Sequence, residues 1–239
     1  MSDDQPGTSR RACTNEGSNN LDIMESAPKY LAHVGRLVRK ELPDSGLLVD
    51  FGAGNGLQTL HVIQPCERLI CVENDVRRAA DLEGRGFKVV GNLNELNQGS
   101  VRATFSINCL EHIQEDEIVL GEIYNVLQPG GILVLYVPAH PSLYGAMDQK
   151  VGHFRRYSKN ELRTKVETQG FFIDKLQYVD SVGAMVSLVY KWIGTSSGKP
   201  GKLSVAIFDR LLFPISIYAD RFTRKRFGKN LFLVARTAN

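Results

Sequence analysis

The sequence predicts an α/β fold: a doubly wound parallel sheet with a helical insertion before its last strand. Three observations predict it. Short apolar runs of strand length alternate with stretches of helical periodicity. The first run ends in a glycine-rich turn, VDFGAGNG (Val49 to Gly56). A stretch of about fifty residues that reads mostly helical separates the sixth run from the seventh.

Taken in order, residues 1–24 are Ser, Asn, Asp, Gly and Arg with little to bury, and read as a disordered tail. From Pro28, the residues Tyr30, Leu31, Val34, Leu37, Val38 and Leu42 recur at helical spacing, and Pro43 with Gly46 ends that helix. Seven strand candidates follow: LLVDF (47–51), RLICVE (68–73), FKVVG (87–91), ATFSINCL (103–110), GILVLYVPA (131–139), FFIDKLQYV (171–179) and NLFLVART (230–237). The clearest intervening helix runs from about Glu115 to Leu127, with Ile118, Val119, Ile123, Val126 and Leu127 on one face and Pro129-Gly130-Gly131 as its stop. Ser158-Lys159-Asn160-Glu161 has the form of a capping box and opens a helix ending at Gly170. The insertion reads helical around 184–193 and 203–222, with Pro214 breaking or restarting its second part. These boundaries predict a core over 25–182, an insertion or cap over 183–229, and a return to the core over 230–239.

Composition excludes little. A hydrophobic fraction of 43% and a charged fraction of 23% are ordinary for a globular protein. A net charge of +3 is too small to argue for nucleic acid. Cys13, Cys66, Cys71 and Cys109 show no C-x-x-C pair and no zinc spacing, which suits reduced thiols. The first twenty residues lack the apolar core of a secretory signal, and no run of apolar residues is long enough to span a membrane. A cytoplasmic protein is the expectation.

The glycine turn carries the first chemistry. Asp50 ends the first strand, where ligands meet an open α/β sheet. Gly52 and Gly54 let backbone approach a ligand closely. A dinucleotide fingerprint places its third glycine three residues after the second; here Gly56 comes two after and Leu57 follows. Glu73 ends the second strand, 17 residues after Gly56, where an acid holds ribose hydroxyls in nucleoside-binding sheets. The neighbouring Asp75 is the alternative acid, or the cap of the next helix.

VDFGAGNG, the VEND acid, INCLEHI (107–113) and LQPGGILVLYVP (127–138) occur in an order that resembles the class I S-adenosylmethionine (SAM) dependent methyltransferases. The resemblance covers about residues 28–180 and the last strand. It implies a Rossmann-like, seven-stranded doubly wound sheet and SAM as cofactor, with S-adenosylhomocysteine (SAH) as product. It implies that Asp50, Gly52 and Gly54 hold the methionine part of SAM, that Glu73 takes the ribose, that Asn92 and Leu93 lie against adenine, and that Asn108 lines the floor near the sulfonium. SAM has no pyrophosphate, which suits the missing third glycine; a nicotinamide cofactor is the runner-up.

INCLEHI is similar to the matching segment of ubiquinone-biosynthesis O-methyltransferases, where two Glu and a His can hold a divalent metal. Glu111 and His112 match, but Asn108 stands at the first Glu position, so no metal is expected. No Asn/Asp-Pro-Pro-Tyr follows the fourth strand, unlike the amino-methylating enzymes of DNA bases and glutamine. Pro65-Cys66 resembles the dipeptide of cytosine-C5 enzymes but lies before the second strand, so Cys66 reads as structural.

After the fifth strand, His140 to Tyr157 is dense in titratable and planar side chains, and its Gly-His-x-Arg-Arg-Tyr resembles a loop of a set of bacterial methyltransferases. A loop of this kind at the sheet edge suggests an acceptor site or lid. His153, Arg155 and Tyr157 are the catalytic candidates, with His153 as base because imidazole titrates near neutrality. His140, Tyr144 and Arg156 are the substrate-binding candidates. The competing expectation is that Arg155 and Arg156 pair with acids of the fold and Tyr157 packs.

In the insertion, an apolar helical series of Leu203, Ile207, Leu211, Ile215 and Phe222 runs into a basic set, Arg221, Arg224, Lys225, Arg226 and Lys229. Such a segment suits a packed cap, a homodimer face, or peripheral contact with an anionic membrane through 203–229. The expected activity is methyl transfer to a hydroxyl or amine of a small molecule, sugar-containing, lipid-like or a secondary metabolite. The alternatives are a methyltransferase acting on protein or RNA, and a SAM-binding regulator without turnover.

Overall fold

The computed structural model describes residues 25–193 and 202–239. The tail expected over 1–24 lies outside the described residues. Helix α1 (Pro28–Arg39) begins with Pro28, whose fixed φ suits a first turn, and buries Leu31, Val34 and Val38. Strands β1 (Leu47–Phe51), β2 (Leu69–Val72), β3 (Lys88–Val90), β4 (Val101–Ile107) and β5 (Leu127–Pro138) alternate with α2 (Leu57–Val62), α3 (Val76–Gly84) and α4 (Asp116–Val126). Then come α5 (Ala146–Val151), α6 (Lys159–Thr168) and β6 (Phe172–Val179). The insertion holds α7 (Ser181–Ile193), α8 (Lys202–Ile207), a π-helical turn (Phe208–Leu212) and α9 (Phe213–Thr223), and β7 (Asn230–Arg236) follows.

The sheet order is β3-β2-β1-β4-β5-β7-β6. All neighbours are parallel except β7, which runs antiparallel to both β5 and β6. The chain leaves β1 in one direction for β2 and β3 and returns on its other side for β4 and β5. That reversal opens a crevice at the carboxyl ends of β1 and β4, where ligands bind in sheets of this class.

Apolar residues cover both faces of the sheet. One core joins strand residues to Leu120 and Ile123 of α4 and Leu162 and Val166 of α6. The other joins them to Val34 and Val38 of α1, Val62 of α2 and Leu82 of α3. β5 is buried along most of its length because both faces and both edges are covered.

Two boundaries differ from the sequence expectation. β5 begins at Leu127, because the Pro129-Gly130-Gly131 stretch continues the strand through an irregular step in its pairing with β4. The insertion begins at Ser181, two residues earlier than expected, because Asp220 of α9 accepts the backbone N–H groups of Asp180 and Ser181 and so anchors the start of α7. Pro214 falls in the first turn of α9, where the missing N–H costs nothing.

Candidate cofactor and acceptor site

The glycine turn follows β1 with Gly52, Gly54 and Gly56 all in the left-handed region, at φ 76°, 61° and 76°. Their roles differ. A Cβ on Gly52 would come within 2.1 Å of Cys109 Sγ, so this glycine seats the turn against the start of the segment after β4. A Cβ on Gly54 would meet no protein atom within 4 Å, so within the fold it is the backbone angle that calls for glycine there. The Gly54 N–H points at Glu73 and donates to Oε2 at 2.8 Å. Glu73 Oε1 accepts from the Asp75 N–H at 3.0 Å. Asp75 caps α3 by accepting from Arg77 and Arg78. The two acids thus divide the work: Glu73 faces the glycine turn and Asp75 caps the start of α3.

Asp50 is buried beneath the turn and accepts from the Thr59 hydroxyl at 2.6 Å. Burial pushes its carboxyl up to about 7 against the Thr59 bond, with the Glu73 charge adding to the rise. Among the described residues, no ion pair joins Asp50 or Glu73 to a Lys or Arg. Two buried acids without a basic partner suit a ligand that brings positive charge and hydroxyl donors. SAM carries both, so the residues present fit it.

The remaining cofactor-site expectations are placed as follows. Asn92 caps a short turn over Leu93–Glu95, accepting from the Asn94 N–H at 3.0 Å, while Leu93 points into the core beneath. Asn108 follows β4 with φ 49°, donates its N–H to the Tyr136 carbonyl at 2.8 Å, and hydrogen-bonds the Tyr30 hydroxyl. A non-glycine residue in this conformation costs of order 1 kcal/mol and is held by its surroundings.

The segment after β5 is organised by Asp148, which lies within the His140 to Tyr157 stretch. Its carboxylate accepts from the Gly145 N–H at 3.0 Å, His153 Nδ1 at 2.8 Å and Arg156 Nε at 2.8 Å. Burial works to raise this carboxyl, but the bonds from His153 and Arg156 outweigh it and hold it low. An ionised carboxylate only accepts, so His153 Nδ1 carries the proton in this pair. His153 Nε2 then faces Glu111 Oε1 at 3.8 Å. Glu111 is fully buried and both its oxygens lack a hydrogen-bond partner. Burial raises it to about 7, against the pull of His153 and Arg156. His112 packs edge-on against His153 at 4.7 Å, and burial holds it down to about 4. One donor atom from each of Glu111, His112 and His153 lies within 4.8 Å of the others. The metal-free expectation for this segment therefore meets a group with metal-ligand spacing, completed by a histidine from the loop after β5.

Two of the three catalytic candidates hold a different carboxylate, Asp116. Tyr157 is fully buried and donates to Asp116 Oδ2 at 2.8 Å. Arg155 pairs with the same carboxylate at 2.7 Å and donates to the Gln114 carbonyl at 2.7 Å. Lys165 of α6 completes the network at 2.8 Å. In this structure the polar atoms of both lock the start of α4 to the loop, the arrangement the competing expectation describes. Arg156 pairs with Asp148, and Tyr144 donates to the His153 carbonyl at 2.8 Å, so both brace His153. His140, at φ 61°, stacks flat on Tyr178 at 5.1 Å beside Phe227, and its buried Nε2 lacks a partner.

A third wall comes from contacts between residues far apart in the chain. Asp209 of the insertion accepts the Lys29 and Tyr30 N–H groups at 3.0 and 2.8 Å, capping α1 from 180 residues away. Phe213 packs edge-on against Tyr30 and His33. This holds the Tyr30 hydroxyl against Asn108 and against Tyr136, whose own hydroxyl accepts from Asn230.

Residues 49–135 match the methyltransferase-domain family. Over 134 residues the chain is 25% identical to a "probable S-adenosylmethionine-dependent methyltransferase" of Mycolicibacterium smegmatis. The match covers 53% of this chain and 52% of the relative, so the chain spans about half the length of the curated relative it matches. The fold is similar to that of a SAM-dependent methyltransferase of Thermotoga maritima, described as a possible histamine N-methyltransferase (TM-score 0.63, 15% identity, 93% of this chain and 95% of that one). It is also similar to geranyl diphosphate C-methyltransferase of Streptomyces coelicolor, solved with Mg2+, geranyl diphosphate and SAH (TM-score 0.60, 14% identity, 87% and 77%). The match over residues 49–135, the sheet order and the glycine turn all point to one class, the SAM-dependent methyltransferases of class I.

Proposed function

We propose that this chain is a cytoplasmic enzyme that transfers the methyl group of SAM to a hydroxyl or amine of a small molecule, sugar-containing, lipid-like or a secondary metabolite. The observation that carries the reading is the pair of buried acids, Asp50 and Glu73, against the left-handed glycine turn. The acceptor lone pair attacks the methyl carbon in line. The carbon–sulfur bond breaks with its electrons left on sulfur, giving SAH. The acceptor proton passes to His153 Nε2, whose ring Asp148 orients through Nδ1. Glu111 faces that nitrogen, and in its ionised form it would favour the imidazolium. Tyr30, Asn108 and His140 are the polar groups offered to the acceptor. SAH production from SAM across a panel of hydroxyl and amine acceptors tests the reading. Turnover only with macromolecular acceptors, or cofactor binding without turnover on any acceptor, contradicts it.

A second reading has its own observation. Glu111, His112 and His153 have the spacing of a two-histidine, one-carboxylate site, and the Glu111 oxygens are unpartnered. A divalent cation there would hold an acceptor oxygen and ease its deprotonation. Asp148 on Nδ1 of His153 and the Gly152 carbonyl on His112 would orient the ligands. Stoichiometric zinc or cobalt retained after dialysis supports this reading, and none supports the proton-transfer reading.

A further inference from the structure

The insertion sorts its side chains by sign and polarity. Leu203, Ile207, Leu211, Ile215, Tyr218 and Phe222 are each between 49% and 75% exposed. They succeed one another at three or four residues, and so run as one stripe along α8, the π turn and α9. The π turn takes up an extra residue per turn, which keeps the repeated four-residue spacing from drifting around the helix.

Both acids between 203 and 229 turn inward. Asp209 is buried and caps α1; Asp220 caps α7. Lys229 also lies toward the fold, beside Asp180. The exposed charges of the segment are Arg210, Arg221, Arg224, Lys225 and Arg226, all cationic. Arg221 lies over the Tyr218 ring at 5.6 Å, and that ring meets Phe222 at 5.9 Å, so cation and aromatic groups share one end of the stripe. Among the described residues, no helix is long and apolar enough to cross a membrane.

We propose that this face docks on an anionic membrane surface, its apolar stripe entering the headgroup boundary and its cations meeting lipid phosphates and carboxylates. Charge selects this occupant. A two-fold contact through the same face would bring the cations of one copy toward those of the other. An anionic surface pairs with every exposed charge the segment carries. The proposal does not depend on the methyl-transfer reading, because its test needs no turnover.

The test is flotation of the full chain with vesicles of phosphatidylcholine alone and of phosphatidylcholine with phosphatidylserine. The expected result is retention on the anionic vesicles only, weakened by added salt. Replacing Arg221, Arg224, Lys225 and Arg226 with Gln should lower partitioning at least about a hundredfold. Leu211→Ser, Ile215→Ser and Phe222→Ser together should abolish it. These side chains are exposed, so melting and SAH binding should match wild type in both variants. No retention on anionic vesicles, or equal retention of wild type and both variants, overturns the proposal. A wild-type dimer that the serine variant makes monomeric, without vesicle retention, assigns the face to a second copy and also overturns it.

Discussion

Glu73 accepts the Gly54 backbone N–H at 2.8 Å, so the acid that ends β2 grips the tip of the turn that follows β1. Two carboxylates two positions apart in sequence, Glu73 and Asp75, thereby acquire different tasks. Asp75→Ala should cost about 1 kcal/mol of stability through loss of the α3 cap and leave cofactor affinity within about threefold. Denaturant melts and SAH titration of the same sample check both.

Glu111 gives a pH signature. Its carboxyl is raised to about 7 by burial, from an ordinary value near 4 in the unfolded chain. The folded state therefore holds a proton that the unfolded state has released. The resulting stability is present below pH about 4 and is lost as pH rises through about 7. Glu111→Gln removes that dependence. Its stability relative to wild type should rise across this window, as read by thermal melts at a series of pH values. Asp50, raised to about 7 by burial, adds to the same trend and is unchanged in the comparison.

Arg155 and Tyr157 should answer to stability rather than to turnover. Tyr157→Phe removes one buried bond to Asp116 and should cost about 1–2 kcal/mol. Asp116→Ala leaves Arg155 and Lys165 without their shared partner and should cost about 3–5 kcal/mol. The turnover of folded Tyr157→Phe should stay within a few-fold of wild type; a thousandfold loss would restore Tyr157 to the reacting groups.

His153→Asn separates chemistry from binding. As proton acceptor, His153 should account for a loss of about a hundred- to ten-thousandfold in kcat with SAH affinity retained. Cobalt(II) titration of wild type and variant reads the alternative directly. A visible ligand-field band in wild type that is lost in His153→Asn assigns the cluster to a cation.

Asp209→Ala tests the contact that ties the insertion to α1. It should cost about 1–2 kcal/mol through loss of the cap on Lys29 and Tyr30. It should also raise the acceptor KM, because Tyr30 is held through that contact.

The legible part of the fold came from local patterns. Strand runs, the capping box at Ser158, Pro214 and the glycine turn each act through their own backbone, so each can be read from neighbouring residues. The glycine turn and Glu73 meet because they follow neighbouring strand ends, a position each run's own length marks in the sequence. What stayed hidden depends on partners distant in sequence. The capping of α1 by Asp209 spans 180 residues. Glu111 and Asp148 became informative only when the fold set them on either side of His153. The shared contact of Arg155 and Tyr157 with Asp116, which comes from a different element, is likewise invisible in the loop's own composition. The π turn leaves no mark in composition, yet it aligns the apolar stripe.

The most direct test of the central claim is isothermal calorimetry of SAM and SAH on wild type and Glu73→Ala, with NAD as the competing cofactor. The account predicts SAM and SAH binding to wild type, a loss of about ten- to a hundredfold in Glu73→Ala, and no NAD binding. Binding of NAD without SAM or SAH, or SAM affinity unchanged by Glu73→Ala, would contradict it.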